Sequence, residues 1–247
     1  ALLPLRAPGD GEGPLTPRLA DVADVLHVPP AVFAATIDAV PALSAGGDVL
    51  VVADPLDDLP AARVHAAAGG RVLGGQWVGD PDRLATPARV LQALRDHRPG
   101  TLVLAAHVDE PADDNPADAG VLLANSGGGE AVLTARDLAG AGITAPVTSL
   151  MLGCESLGAS TGAEWTSLAL ALLGAGGTRV IGTLWPSLDD PAATAVERSL
   201  VQRVIADPVG GHAAFIRGRL AAWREQPDSH PLYHWASVAE VRARNVT

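Results

Sequence analysis

The segment VTSLMLGC, residues 147–154, decides the fold that this sequence predicts. It is mainly apolar and ends in the single cysteine of the chain, Cys154. A second run of the same kind, TLVLAAH at residues 101–107, ends in His107. Short apolar runs that are closed by turn residues are typical of strands buried on both faces of a sheet. The two segments therefore predict two buried strands, each with a reactive side chain at its carboxyl end.

Further strand and helix patterns alternate on either side of these two segments. Strands are predicted at residues 48–54, 71–73, 101–106, 147–153 and 179–185, with a hairpin at 121–123 and 131–133 and a last short strand within 233–241. Helices are predicted at residues 61–68, 86–98, 134–138, 164–174, 192–205 and 212–225. This alternation predicts an α/β protein with a mainly parallel sheet, right-handed crossovers and helices on both faces. In such sheets, functional sites form at the carboxyl ends of the strands.

The composition limits the class of protein. The chain has 247 residues and a mass of 25.0 kDa; because 48% of its residues are apolar and 18% are charged, one large core is expected and extensive disorder is not. A single cysteine cannot form an internal disulfide, which excludes a small disulfide-stapled secreted fold. The net charge of -11 makes the chain a poor non-specific ligand for nucleic acid or for an anionic membrane.

The N-terminal part of the chain differs from the rest. Residues 7–17, APGDGEGPLTP, are rich in glycine and proline and predict a linker. We therefore expect an N-terminal extension at residues 1–19 and one folded domain at residues 20–247. The first six residues lack the apolar core of a signal peptide, and no apolar run approaches the roughly 18 residues of a membrane span. The expected location is the cytoplasm.

His107 and Cys154 are 47 residues apart, which leaves room for a hairpin and a helix before the chain returns to a neighbouring strand. Adjacent parallel strands lie about 5 Å apart, so side chains that leave their carboxyl ends come within hydrogen-bond reach. A neighbouring imidazole can take the thiol proton and later give it to a leaving amine. The alternative is that Cys154 is a small buried hydrophobic residue and that His107, one of 7 histidines, falls at a strand end by chance.

At these residues the chain resembles the CHAT-domain peptidases, a caspase-like family related to separase. LMLGCES at residues 150–156 is similar to the family's strand that ends in Ala-Cys-Glu-Thr/Ser, and LVLAAH at residues 102–107 is similar to its histidine-containing strand. GTLWPSLDD at residues 182–190 matches the family's Ser-Leu-Trp-Pro-Val-x-Asp segment. LVVADP at residues 50–55 and HPLYHWAS at residues 230–237 are similar to its opening strand and to its His-Pro-Tyr-Tyr-Trp-Ala-Ala-Phe ending.

The resemblance extends over roughly residues 20–245 and implies both a fold and an activity. The implied fold is the caspase–hemoglobinase three-layer sandwich, and the implied activity is that of a cysteine peptidase that needs no metal and no cofactor. Cys154 would attack the scissile carbonyl, and His107 would act as general base and acid. The backbone N–H groups of Cys154 and Val108 would hold the oxyanion. The chain departs from the family at Val108 and Leu157, where the family usually has glycine, and at Val103, where the family often has another histidine.

Three further side chains are candidates for substrate binding. Asp189 and Asp190 follow the Trp-Pro turn at another strand end, where an acidic floor could select a basic residue before the cleaved bond. Trp185 is a candidate for lining the substrate cleft. The alternatives are an aspartate that caps a solvated helix N-terminus and a tryptophan that is buried in the core. The acidic loop at residues 109–115 lacks the spacing of an EF-hand, so a solvated flap is expected there.

The sequence and the resemblance together predict a cysteine endopeptidase that cleaves a protein or peptide substrate. The resemblance also implies regulation by a sensor or repeat domain, or by a partner protein. The alternative is a catalytically degenerate module of the same family that acts as a protein-interaction or scaffold domain. Neither nucleic acid nor a metal ion is expected to bind.

Overall fold

The computed structural model describes residues 47–68, 71–75, 81–109, 115–154, 156–157, 167–184, 190–226, 228, 235–236 and 238–243. The predicted N-terminal extension at residues 1–19, with its linker at residues 7–17, lies outside the described residues. The substrate-binding candidates Trp185 and Asp189 also lie outside them, as does most of the segment at residues 230–237.

Nine strands occur in the described residues, and six of them form the central sheet. Their bounds are β1 Val49–Ala53, β2 Arg71–Gly74, β3 Thr101–Ala105, β4 Val108–Asp109, β5 Gly120–Ala124, β6 Glu130–Thr134, β7 Thr148–Met151, β8 Arg179–Thr183 and β9 Val238–Arg242. The order across the central sheet is β2-β1-β3-β7-β8-β9. Its first five strands run parallel, and β9 pairs antiparallel with β8. The mainly parallel sheet predicted from the sequence is confirmed.

Helices cover both faces of the central sheet. A 3₁₀ helix, Pro60–Ala68, follows β1, and the α-helices are α1 Pro87–His97, α2 Ala135–Gly140, α3 Ser167–Gly174, α4 Pro191–Ala206 and α5 Gly211–Glu225. Successive residues of a strand point to opposite faces. Val51 and Leu150 therefore pack with α4 and α5, whereas Leu50 and Met151 pack with α1, α2 and α3. The predicted three-layer arrangement is confirmed.

Most strand boundaries differ from the prediction by a residue, and the differences are larger at β7, β8 and β9. The strand predicted at residues 147–153 is β7, which ends at Met151, and the strand predicted at residues 179–185 is β8, which ends at Thr183. Apolar periodicity continues past both ends, so the pattern overestimates the strands where the chain turns at the rim of the sheet. The last strand, predicted within residues 233–241, is β9 at residues 238–242, against the edge of β8.

A smaller sheet continues from the carboxyl end of β3. β4 begins directly after His107 and pairs antiparallel with β5. The predicted hairpin is confirmed by β5 and β6, which pair from Gly120↔Thr134 to Ala124↔Glu130. β4 was not predicted because a two-residue strand has no detectable period. Among the described residues, no helix has the length and apolar character needed to cross a membrane.

Candidate active site

The strand register brings the segments that carry His107 and Cys154 side by side. β3 and β7 are parallel neighbours in which Leu104 pairs with Met151. The pairing continues for one step beyond the strand, because the N–H of Leu152 donates to the carbonyl of Leu104 at 2.7 Å. The same offset of 47 residues separates His107 from Cys154, each three positions beyond the last paired residues, Leu104 and Met151. Both residues follow the carboxyl ends of their strands, where sites form in parallel sheets.

Gly153 makes the closest contact between these two segments. A Cβ atom at this position would lie 2.5 Å from the carbonyl oxygen of Ala106 and 2.7 Å from Cγ2 of Val108. Those two residues stand on either side of His107 in the chain. Because real Cβ contacts are never that short, only glycine allows the turn before Cys154 to lie against the histidine segment.

We expect Gly153→Ala to destabilise the protein by about 1–3 kcal/mol, because the added methyl group meets a backbone carbonyl that cannot rotate away. Gly140→Ala is the matched control, since nothing lies within 4 Å of a Cβ atom there. Urea unfolding of the two variants and the wild type measures the difference. If Gly153→Ala were as stable as the control, the two segments would not be in the contact described.

The exposure of the two side chains separates the catalytic interpretation from its alternative. Cys154 is exposed, and the His107 side chain is 39% exposed. The alternative that Cys154 is simply a small buried hydrophobic residue is therefore wrong. A thiol in this position is open to a substrate or a reagent, which nucleophilic chemistry requires.

Buried hydroxyl groups fix the turn that carries Cys154. The Thr183 hydroxyl at the end of β8 donates to the carbonyl of Gly153 at 2.6 Å. The Ser156 hydroxyl donates to the carbonyl of Met151 at 2.6 Å and accepts from the N–H of Thr183 at 3.0 Å. Hydrogen bonds on both sides of Cys154 therefore tie this turn to the end of β8, which limits how far the sulfur can move.

Leu157, one of the two positions at which the family usually has glycine, packs into the core without disturbing this turn. Its side chain is completely buried, and its N–H donates to the carbonyl of Thr183 at 2.8 Å. The space it occupies is left open by Gly182, because a Cβ atom there would lie 2.8 Å from Cγ of Leu157. A glycine on β8 therefore accommodates the larger residue after the cysteine.

Val108, the other of these two positions, directs its backbone N–H to the side of β4 that lies away from β5. Val108 faces Val121 in the β4–β5 pair, and the N–H of Leu122 donates to the carbonyl of His107 at 2.9 Å. This pattern identifies Val108 and Val121 as a non-hydrogen-bonded pair, so the N–H of Val108 points away from β5. The geometry is compatible with the oxyanion donor that the resemblance implies.

Sequence reasoning missed one residue of this site. The carboxylate of Asp58, in the loop between β1 and the 3₁₀ helix, lies near the imidazole, with Oδ2 3.3 Å from Nε2 of His107. The sequence feature that points to Asp58 is its position in the acidic segment DPLDD. This segment follows β1 directly and therefore lies at the same rim as His107. Such a segment is ordinarily a solvated turn, so its composition does not indicate a functional residue.

Of the three substrate-binding candidates, only Asp190 lies within the described residues. Asp190 is the N-cap of α4, where its Oδ1 accepts from the N–H groups of Ala192 and Ala193 at 2.7 and 2.8 Å. It also lines an open groove of about 580 Å³ between the 3₁₀ helix and α4, together with Pro60 and Val64. The capping role that was the alternative for this residue is therefore present. No group of three or more metal-ligating side chains occurs among the described residues.

One protein family matches most of the chain: a family model described as "CHAT domain" matches residues 14–243. Among solved structures, the chain is similar to the crystal structure of the Saccharomyces cerevisiae separase–securin complex, with a TM-score of 0.49 and 13% sequence identity. That similarity covers 88% of this chain and 14% of the other chain, so this chain spans a small part of that protein's length. No curated protein matches the chain.

Proposed function

The chain belongs to the CHAT-domain family, and we propose that it is a cysteine endopeptidase that cleaves a protein substrate with Cys154 and His107. The observation that carries the proposal is the shared rim: an exposed thiol and a partly exposed imidazole follow paired parallel strands in register. Gly153 holds the two segments in contact. These observations support the proposal, because a nucleophile and its general base must come within hydrogen-bond reach of each other.

In the acylation half of the reaction, His107 takes the proton of the Cys154 thiol, and the sulfur attacks the carbonyl carbon of the scissile bond. The carbonyl oxygen becomes an oxyanion, which accepts hydrogen bonds from the backbone N–H groups of Cys154 and Val108. When the tetrahedral intermediate collapses, the C–N bond breaks and the proton on His107 passes to the leaving amine. The acyl group of the substrate is then a thioester on Cys154.

In the deacylation half, water attacks the thioester carbonyl while His107 accepts a proton from it. The C–S bond breaks, the carboxyl product leaves, and the proton returns to the sulfur. The same donors hold the second oxyanion. One peptide bond has then been hydrolysed by one molecule of water, and the enzyme is back in its starting state.

We propose that the protein selects its substrate at the side of the rim where β8 ends. Asp190 lies there beside the groove that the 3₁₀ helix and α4 form, and Trp185 and Asp189 precede it in the chain. A carboxylate at this position favours a basic residue before the cleaved bond. Control by a sensor domain or a partner protein, and a cytoplasmic location, stay predictions.

Alkylation of the thiol tests the proposal directly, because the chain has only one cysteine. At pH 7 we expect iodoacetamide to modify Cys154 about 5-fold faster than it modifies a cysteine in a short peptide, since the imidazole withdraws the thiol proton. His107→Asn should remove this acceleration, and His97→Asn, at an exposed histidine of α1, should keep it.

The second part of the test is cleavage. A mixture of denatured proteins incubated with the wild type should yield new N-termini at a limited set of sites, which N-terminal mass spectrometry identifies. Equal alkylation rates in the wild type and in His107→Asn, together with no new N-termini, would contradict the peptidase and favour the catalytically degenerate interaction module.

A further inference from the structure

We propose that Asp58 is a positioning residue for His107, so that the site is a Cys154–His107–Asp58 triad in which the carboxylate orients the imidazole. The kinetic effect of this inference rests on the proposed function, whereas the contact between Asp58 and His107 does not depend on it. Oδ2 of Asp58 lies 3.3 Å from Nε2 of His107. When the ring proton is held on Nε2 beside this carboxylate, the other ring nitrogen, Nδ1, is left to exchange a proton with the thiol.

The loop that presents Asp58 is fixed to the strand that leads to His107. Asp54, at the end of β1, is completely buried, and its N–H donates to the carbonyl of Ala105 at 2.9 Å. Its Oδ1 accepts from the N–H of Leu59 at 2.7 Å, which closes a loop around Asp58. Because both ends of the loop are held by one buried aspartate, the position of Asp58 relative to β3 is determined.

Arg63 completes this loop from the 3₁₀ helix. Its Nε donates to Oδ2 of Asp54 at 2.6 Å, and its terminal nitrogen donates to Oδ1 of Asp57 at 2.5 Å. The guanidinium therefore balances the charge of two of the three aspartates in the loop. The third, Asp58, directs its carboxylate to His107 instead.

The backbone of this loop adopts a conformation that non-glycine residues rarely take. Asp54 has a φ of 48° and Asp57 has a φ of 66°, both in the left-handed region. Strain of this kind persists only where the surroundings enforce it, and it clusters at functional sites. Here the two left-handed residues turn the chain so that the intervening sequence reaches the rim and Asp58 faces His107.

The carboxylate has two effects on the imidazole. It restricts rotation of the ring, and it stabilises the imidazolium that forms when the thiol proton is transferred. The other charged or titratable groups on the described elements that meet at His107 are Cys154 after β7, Asp109 on β4, and the Asp57–Arg63 pair in the same loop. Asp58 is the acidic group in direct contact with the ring among these residues.

The kinetic test compares Asp58→Asn, Asp58→Glu and the wild type. We expect Asp58→Asn to lower kcat at least about 10-fold and to leave KM within about 2-fold, because the residue acts through His107 and does not touch the substrate. Asp58→Glu should recover part of the loss, since it restores the carboxylate. Asp96→Asn, at an exposed aspartate near the opposite end of β3, is the control and should change neither constant.

Nuclear magnetic resonance of the histidine rings tests the same contact without any need for cleavage. In the neutral His107 ring, whose signals are identified by their loss in His107→Asn, the proton should be held on Nε2 in the wild type and shared between Nδ1 and Nε2 in Asp58→Ala, because the facing carboxylate has been removed. An unchanged ring tautomer in Asp58→Ala together with an unchanged kcat in Asp58→Asn would overturn the proposal, as would a loss of stability without a change of tautomer. If the wild type cleaves nothing, the proposed function fails, and the ring tautomer still decides the role of Asp58.

Discussion

Replacement of Cys154 by alanine is expected to lower kcat/KM at least about 10³-fold while the protein remains folded. The sulfur is the atom that forms the acyl-enzyme bond, and alanine offers no atom that can replace it. The side chain is exposed, so its truncation should change the free energy of unfolding by no more than about 0.5 kcal/mol. Cleavage of a substrate identified from the protein mixture, together with thermal unfolding, measures both quantities.

The double variant tests whether the two residues act as one unit. His107→Asn alone should lose nearly as much activity as Cys154→Ala, and the two substitutions together should be no worse than either one. Ser126→Ala, in the exposed loop between β5 and β6, is the matched control and should retain full activity. Cleavage that survives in Cys154→Ala would assign the activity to other residues or to a contaminant.

The adjacency of the two catalytic candidates could be predicted because it depends on strand order and register. Apolar runs before His107 and Cys154 indicate two buried strands, and parallel strands present their carboxyl ends at one rim. The structure has these strands as neighbours with a single constant offset. The local pattern of apolar residues therefore predicts that the site lies at the rim of the sheet.

The Asp58 contact could not be predicted, because it depends on backbone conformations that the pattern does not reveal. The segment DPLDD has the composition of an ordinary solvated turn. Only the left-handed conformations of Asp54 and Asp57, and the pairing of Arg63 with both, bring Asp58 to His107. Contacts of this kind join residues through tertiary structure, so a strand-by-strand analysis of the sequence does not detect them.

The two positions at which the family usually has glycine show the same limit. In the sequence, Leu157 and Val108 are simply residues larger than glycine. In the structure, Leu157 fills space that Gly182 leaves open on β8, and Val108 packs against the position of Gly153. Each larger residue faces a glycine that is distant in the sequence, so the two changes are compensated by packing.

A buried ionic cluster where β9 meets α5 dominates the electrostatics of the core. Glu240, on β9, is completely buried, and its carboxylate lies 2.9 Å from Nδ1 of His212 and 2.5 Å from Nε of Arg242. The guanidinium of Arg179 at the start of β8 lies 3.5 Å away. Burial by itself raises the pKa of Glu240, but the hydrogen bonds and positive charges of His212 and Arg242 outweigh it and lower the pKa to about 2.

We expect Glu240→Gln to destabilise the protein at pH 7 by about 3 kcal/mol, because it removes the buried negative charge that faces Arg179, His212 and Arg242. The destabilisation by Glu240→Gln should become smaller as the pH falls. Since the folded pKa of Glu240, about 2, lies below its usual value of 4.5, the ionised carboxylate stabilises the fold above pH 4.5 and loses that effect as the pH falls toward 2. The difference between wild type and variant should therefore narrow by about 2 kcal/mol between pH 6 and pH 3.

Urea unfolding at several pH values measures this difference, and Glu130→Gln is its control because Glu130 is exposed on β6. The control should unfold like the wild type at every pH, since an exposed carboxylate has nearly the same environment in the folded and unfolded chains. A constant gap between wild type and Glu240→Gln from pH 6 to pH 3 would mean that packing or hydrogen bonding, not charge, explains the loss. A narrowing gap assigns it to the charge, because between pH 6 and pH 3 the carboxyl of Glu240 takes up a proton in the unfolded chain before it does so in the folded one, which favours unfolding of the wild type.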